Sequence, residues 1–314
     1  MDIKRLGAID IGSNSVRLLI TDVLDYHGKA IFKKDSLIRI PLKLGEDTFS
    51  TGLISEQKKE KLAILMQAFY GLIQVNDVEK WRICATSAIR EATNANEVLD
   101  YVYAKSGIEI EIVDSKEEAR FILTNSIDEL LEENRAYIYT DVGGGSTEMV
   151  IFHQNKEIAT EGFRLGTLRN LSQEEERAEW ERMKDWLAEY CKDFVKISLI
   201  GSGGNINKLD SLLRRCGRIR REELVSFSCK LRKMSYEERL LKYNINLNRA
   251  DVLLPAIDIY LRIMKLARAL VIETPIIGVA DGIIKDLYLR NYMPVSASEA
   301  DKVERSQITG KQPA

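Results

Sequence analysis

Histidine is nearly absent from this chain: His27 and His153 are the only two among 314 residues. That scarcity argues against histidine-based metal clusters. It leaves a Ser-His-Asp triad two candidates, both in turn-like surroundings, DYHGK and HQNK. Acid–base chemistry, if there is any, falls to carboxylates. Cysteine is sparse too. Cys84, Cys191, Cys216 and Cys229 are scattered without a C-x-x-C pair, so neither a zinc site nor a disulfide framework is implied. No apolar run reaches the length that spans a bilayer. The opening MDIKRLGAIDIG lacks the apolar stretch and cleavage site of a signal peptide. The formal net charge of −2 excludes a wholesale polyanion binder and allows a local basic patch. These absences lead us to expect a cytoplasmic protein with no membrane partner and no nucleic-acid partner. What is present, 45% hydrophobic and 30% charged residues, is a globular balance long enough for two domains of ordinary size.

The chain is organised around Tyr139–Phe152, YTDVGGGSTEMVIF. Its two apolar runs read as strands joined by a tight turn. The glycines Gly143, Gly144 and Gly145 let the backbone bend sharply and approach a ligand. With Ser146 they can form a nest of N–H groups for anionic oxygens. Asp141 and Glu148 flank the turn and offer the hard oxygens that Mg²⁺ accepts. An ordinary Gly-rich hairpin with solvated acids is the alternative. A second copy weighs against it. Asp10-Ile11-Gly12-Ser13-Asn14-Ser15 matches Asp141-Val142-Gly143-Gly144-Gly145-Ser146 in Asp, Gly and Ser at identical spacing, and Leu19-Ile20 falls on Val150-Ile151. Two like domains, each offering a phosphate loop to a shared cleft, follow from the repeat.

Along the chain, residues 5–12, 16–24 and 30–40 read as a meander, and Ser13, Asn14 and Ser15 offer groups that can bond phosphate oxygens. LGEDTFSTG reads as an irregular connection. A helix follows from Ser55 to Val75, then a strand at 81–85 that delivers Thr86, Ser87 and Arg90 to a strand end, where Arg90 could fork onto phosphate. Another helix runs from Asn94 to Lys105, and IEIEIVD alternates like a strand. Ser115 and Glu118 fit a capping box; alternatively Glu118 faces the cleft and orients a water. Residues 156–166 form a strand ending in FRLGTLR, and 172–195 a charged helix. ISLIGSGGNINKL repeats strand, Gly-rich turn and helix, placing Gly203, Gly204 and Asn205 near a ligand. The run 214–233 is densely basic and is either a solvated face or a capture surface for a long anion. Helices near 236–243 and 249–268, a strand in ALVIETPIIGVA and a last helix after Asp281 follow. The tail from Ser296 is polar and aperiodic, which predicts disorder.

Taken together, DIGSNSVRLLI, ATSAIREATN, DSKEEARF, DVGGGSTEMVIF, GSGGN and NRADVLLPA resemble the exopolyphosphatase and guanosine pentaphosphate phosphohydrolase family over about Leu6 to Leu289. The resemblance implies an α/β fold of the actin-like ATPase superfamily, with two ribonuclease-H-like domains around a central cleft. We place them at 1–125 and 126–295, before a tail at 296–314. The chain resembles the short two-domain form, stopping where longer members continue into a helical region. The resemblance also implies catalytic roles for Glu118 (the acid of the E-A-R motif) and Glu148, and metal contacts from Asp10, Asp141 and Glu148. Phosphate contacts would come from Ser13, Asn14, Ser15, Thr86, Ser87, Arg90, Gly143, Gly144, Gly145, Ser146, Gly203 and Gly204. Asn205 stands where many relatives carry Thr. Mg²⁺ is the expected cofactor, and polyphosphate or guanosine penta- or tetraphosphate the expected ligand; a homodimer is left open. A non-catalytic sensor of the same ligands is the competing reading, and an actin-like ATPase or sugar kinase a third.

Overall fold

In the computed structural model the described residues are 3–123, 132, 134–154, 156–245, 247–275 and 277–292. The tail expected from Ser296 lies outside them. The first half runs β1 (Ile3–Ile11), β2 (Val16–Tyr26), β3 (Lys29–Ile40), α1 (Leu44–Thr51), α2 (Glu56–Val75), β4 (Lys80–Ala85), α3 (Ser87–Arg90), α4 (Ala95–Ser106), β5 (Glu111–Ile112) and α5 (Ser115–Leu123). The second runs β6 (Ala136–Val142), β7 (Thr147–His153), β8 (Lys156–Phe163), α6 (Gln173–Cys191), β9 (Ile197–Ser202), α7 (Gly203–Leu213), β10 (Arg218–Arg220), α8 (Arg221–Arg232), α9 (Tyr236–Tyr243), α10 (Leu247–Leu266), β11 (Val271–Glu273) and α11 (Val279–Tyr292).

The strands form two mixed sheets, ordered β3-β2-β1-β4-β5 and β10-β11-β9-β6-β7-β8. Reversing the second shows the repeat: a three-stranded antiparallel meander, then two parallel strands added beside its first member, with the antiparallel β10 at the edge of the second sheet. Period-2 alternation buries both faces of the central strands. On β1, Leu6 and Ala8 enter a core shared by both sheets, while Ile9 and Ile11 face the layer under α2 and α4. On β6, Tyr137 and Tyr139 enter the shared core, and Ala136 and Ile138 face the layer containing α6 and α10. Helices α5 and α11 carry Phe121, Ile283 and Leu287 into that shared core. The last helix therefore packs on β1 and α5 of the first half.

Several local expectations are corrected. LGEDTFSTG is α1, not an irregular connection: it starts from Lys43 in the left-handed region, without a side-chain cap, and so lacks the usual start signal. IEIEIVD keeps only Glu111–Ile112 as strand, because its one neighbour, β4, pairs with just those two residues. ALVIETPIIGVA contributes only Val271–Glu273 before Pro275.

Candidate functional site

The two Gly/Ser turns meet head to head at the ends of the sheets. A side chain on Gly144 would stand 2.9 Å from Ser13 Cβ and 3.4 Å from Asn14 N, so this close approach requires glycine. The turns are built alike. Gly12 N–H donates to Ser15 O at 3.1 Å, and Gly143 N–H to Ser146 O at 2.9 Å. Behind them, Ser13 O and Asn14 O accept from the N–H groups of Gly45 and Lys43, and Gly143 O and Gly144 O from those of Thr167 and Leu168. A peptide plane points its C=O and N–H in opposite directions. Tying the carbonyls back therefore turns the N–H groups of Asn14, Ser15, Gly144 and Gly145 toward the cleft, as an anion nest requires.

The cleft, of about 70 Å³, is lined by Asp10, Ser13, Asn14, Ser15, Thr86, Ser87, Glu118, Asp141, Gly143, Gly144, Ser146, Glu148, Gly204 and Asn205 among the residues singled out from the sequence. Ser13 and Ser87 hydroxyls are 2.8 Å apart. Asp141 accepts from Ser202 Oγ at 3.0 Å, and Glu148 from Ser146 Oγ at 2.5 Å. Gly203 opens α7 with a φ of +87° beside the Asp141 carboxylate and lines the adjoining cavity. Gly145 lies behind the lining, toward Phe49. Arg90 is not in the lining either: it donates to Val113 O at 2.8 Å and pairs with Glu118 at 3.2 Å. The capping box expected at Ser115 is not formed. Asp114 takes the role, accepting from Glu117 N–H at 2.7 Å, and Glu118 is left to turn inward.

Four carboxylates thus crowd one site. Asp10, Glu118 and Glu148 are buried, and Asp141 keeps only a cleft-facing edge open. Burial raises all four pKa values: Asp141 to about 6, Glu148 to about 7, and Glu118 well above the ordinary carboxylate range, with the charge of Glu148 adding to the last. Arg17 works against the rise at Asp10, and Arg90 against it at Glu118.

Sequence reasoning missed three arginines. Arg17 stands opposite Asp10 on one side and opposite Arg39 on the other in the β1–β2–β3 register. Arg249 comes from α10 and donates to Gly204 O. Burial and mutual repulsion lower the pKa of Arg39 to about 10 and also lower that of Arg249. Arg39 Nε is buried without a hydrogen-bond partner, as is Asn14 Oδ1. All three arginines line both the cleft and a wider cavity of about 380 Å³ that also has Lys34 and Lys208 in its wall. Arg17 and Arg249 sat in motifs already recognised, DIGSNSVR and NRAD, and only β pairing could have added Arg39.

Comparison with known proteins follows the same lines. The chain is 31% identical over 219 residues to a bifunctional 3-dehydroquinate synthase/phosphatase of Fusobacterium nucleatum, covering 63% of this chain and 32% of that protein. It is 30% identical over 152 residues to exopolyphosphatase 1 of Mycobacterium tuberculosis, covering 46% and 41%. The chain thus spans well under half the length of these relatives. The crystal structure of an Aquifex aeolicus Ppx/GppA family member superposes with a TM-score of 0.73 at 25% identity, covering 93% of this chain and 99% of that one. An exopolyphosphatase from Cytophaga hutchinsonii shares the fold with a TM-score of 0.76 at 20% identity, covering 91% and 97%. The fold is accordingly the actin-like ATPase architecture expected from the sequence. The model of the Ppx/GppA phosphatase family matches residues 37–291, and the chain belongs to that family.

Proposed function

We propose that the protein is a cytoplasmic phosphohydrolase that removes a terminal phosphoryl group from inorganic polyphosphate, guanosine pentaphosphate, or both, by attack of water. The observation that carries this reading is the partly buried, mutually repelling trio Arg17, Arg39 and Arg249 opening onto four acids, three of them buried, between two N–H nests. Like charges held together out of water favour a polyanionic ligand that relieves them. The names of the relatives, an exopolyphosphatase and a phosphatase-containing fusion, agree in chemical class.

Phosphoryl transfer asks mainly for positioning and neutralisation of charge. The two nests would hold non-bridging oxygens of the terminal phosphate, and the arginines would hold the phosphates behind it. Glu118 would accept the proton of the attacking water, held in place by Arg90. The donor set fits Mg²⁺: hard oxygens on Asp10, Asp141 and Glu148, with less cationic charge than they need. Among the described residues no three such side chains form a ready-made cage, so the remaining ligands would be water and substrate oxygens, as Mg²⁺ accepts. When bound, the cation would supply Lewis-acid stabilisation of phosphate charge.

The deciding experiment measures orthophosphate released from polyphosphate and from guanosine pentaphosphate, side by side, with Mg²⁺. Release from either supports the proposal and assigns the substrate. Release from neither, nor from nucleoside triphosphates, would overturn it in favour of a ligand sensor.

A further inference from the structure

Behind the Gly143–Ser146 turn runs FRLGTLR, residues 163–169, whose last residue, Arg169, none of the roles above uses. It lies flat on the loop backbone: a Cβ on Gly166 would stand 2.5 Å from the carbonyl carbon of Gly145. Its hydrogen bonds take the loop carbonyls in order. Thr167 N–H donates to Gly143 O at 3.0 Å, Leu168 N–H to Gly144 O at 2.8 Å, and Arg169 Nε to Gly145 O at 2.5 Å. The third support differs from the others because a side chain makes it. In the first loop the matching carbonyl, Asn14 O, is held by the backbone N–H of Lys43.

The same guanidinium also reaches the first half. Arg169 donates from its Nη2 to Glu91 at 2.6 Å, and it stacks 4.2 Å from the ring centroid of Phe49, on the helix α1 that follows the first loop. Its side chain is only 4% exposed. Glu91 directly follows Arg90, which holds Glu118. Arg169 does not line the cleft; it borders a separate cavity of about 340 Å³ on the far side of the loop. One buried side chain therefore links the third loop carbonyl to the segment that carries the partner of Glu118.

We propose that Arg169 is a positioning residue. It fixes the Gly145 peptide so that the N–H of Ser146 joins the nest, and with Glu91 it sets the second loop in register with Glu118. It touches neither substrate nor reacting atoms. The kinetic part of this proposal rests on the phosphohydrolase reading; the structural part does not.

The test compares the wild type with Arg169→Met, Arg169→Lys, Glu91→Gln and the Arg169→Met/Glu91→Gln double variant. Three quantities are read: phosphate release, binding of inorganic tripolyphosphate by calorimetry, and amide exchange in a peptide covering 142–147. Arg169→Met should lower kcat by about 100-fold, the loss expected from misplacing a site by about an ångström, with a smaller change in KM. Exchange in 142–147 should rise while peptides from β6 and β1 stay protected. Arg169→Lys should fall between, because a point charge cannot serve Gly145 O and Glu91 together. The double variant should be no worse than Arg169→Met, since Glu91 acts through Arg169. Normal kcat with unchanged exchange in Arg169→Met would overturn the proposal, and so would losses that simply multiply in the double variant. If Arg169→Met fails to fold, Arg169→Lys and Glu91→Gln carry the same comparison. Should the wild type release no phosphate from any substrate, the phosphohydrolase reading falls, while amide exchange and tripolyphosphate affinity still decide the role of Arg169.

Discussion

Across from Asp10 in the β1–β2 hairpin stands Arg17; across from Asp141 in the β6–β7 hairpin stands Glu148. The hairpin backbone around this exchange repeats. Each hairpin closes through the same turn hydrogen bond, at 3.1 Å and 2.9 Å. Each has a parallel neighbour strand, β4 or β9, leading into a helix whose start faces the cleft. Backbone repetition gives two equivalent anion cradles, and the side chain at one register position separates their use. In the first hairpin the acid is paired with its own cation, at 3.3 Å. In the second, two acids share a desolvated site, and their side-chain hydrogen bonds come from hydroxyls, Ser146 and Ser202. At neutral pH a site of that kind either takes up protons or stays charged with a cation from outside. On the proposed reading, the first hairpin grips the substrate, and the second holds the cation and orients water.

The largest expected effect tests whether chemistry depends on the acidic side. Glu118→Gln should lower turnover by at least ~100-fold, the lower end of acid–base contributions, while substrate binding stays near wild type. Glu117→Gln should cost far less. Glu117 pairs with Arg82 at 2.8 Å and approaches Arg290 at 3.8 Å, away from the cleft lining. Phosphate-release kinetics on both variants make the check. Normal turnover in Glu118→Gln with a dead Glu117→Gln would mean that the wrong acid has been chosen.

The repeat beneath this contrast was legible in the sequence. The Asp-Gly-Ser spacing, the apolar pairs after it and the strand-turn-helix at Gly203 are local patterns, and the structure brings their residues to one cleft. The arginine trio was not legible in that way. Arg39 reaches Arg17 through β2–β3 pairing, and Arg249 arrives from a helix more than two hundred residues later in the chain. Charge convergence of that kind is a property of topology, not of spacing. Glu118 shows the opposite difficulty. Its position fitted a capping box more readily than a cleft-facing acid, and Asp114 caps the helix instead and frees Glu118 for Arg90.

A second test concerns stability rather than rate. Burial raises the pKa of Glu148 to about 7 and that of Asp141 to about 6. A carboxylate whose folded pKa lies above its unfolded value favours folding when protonated. That contribution is full below the unfolded pKa near 4 and is lost as pH climbs through the folded value. Without divalent cation, the protein should therefore lose stability between about pH 4 and pH 7 from these groups. Glu148→Gln removes the charge and should raise the thermal midpoint at pH 8 by a few degrees, equivalent to about 1–2 kcal/mol. At pH 4 the gain should vanish. Arg17→Gln should do the reverse at pH 8, because it leaves Asp10 buried without its cation. Melting curves in a chelator would decide; a gain in Glu148→Gln that does not change with pH would sink the electrostatic account.

The smallest effects separate two groups of arginines. Arg39 and Arg249 are partly buried and repel Arg17, and Arg39 Nε has no partner. A hydrogen bond from such a group to phosphate is worth about 1.5–3 kcal/mol. Arg39→Gln and Arg249→Gln should each raise KM by at least ~10-fold, with a smaller loss in kcat. The basic run at 214–233 is different in kind. Arg215, Arg218 and Arg220 are exposed, and each already has an acid beside it: Glu223 at 2.6 Å, Glu273 at 3.4 Å and Glu222 at 3.8 Å. Exposed charges with local partners project little field beyond a Debye length of about 8 Å at physiological salt. Replacing all three by Ser should change KM for long polyphosphate by less than about 2-fold, and for tripolyphosphate not at all. A larger rise confined to long chains, and abolished by added salt, would show that this surface captures substrate after all. The cleft trio would then be the inner end of a longer anion path.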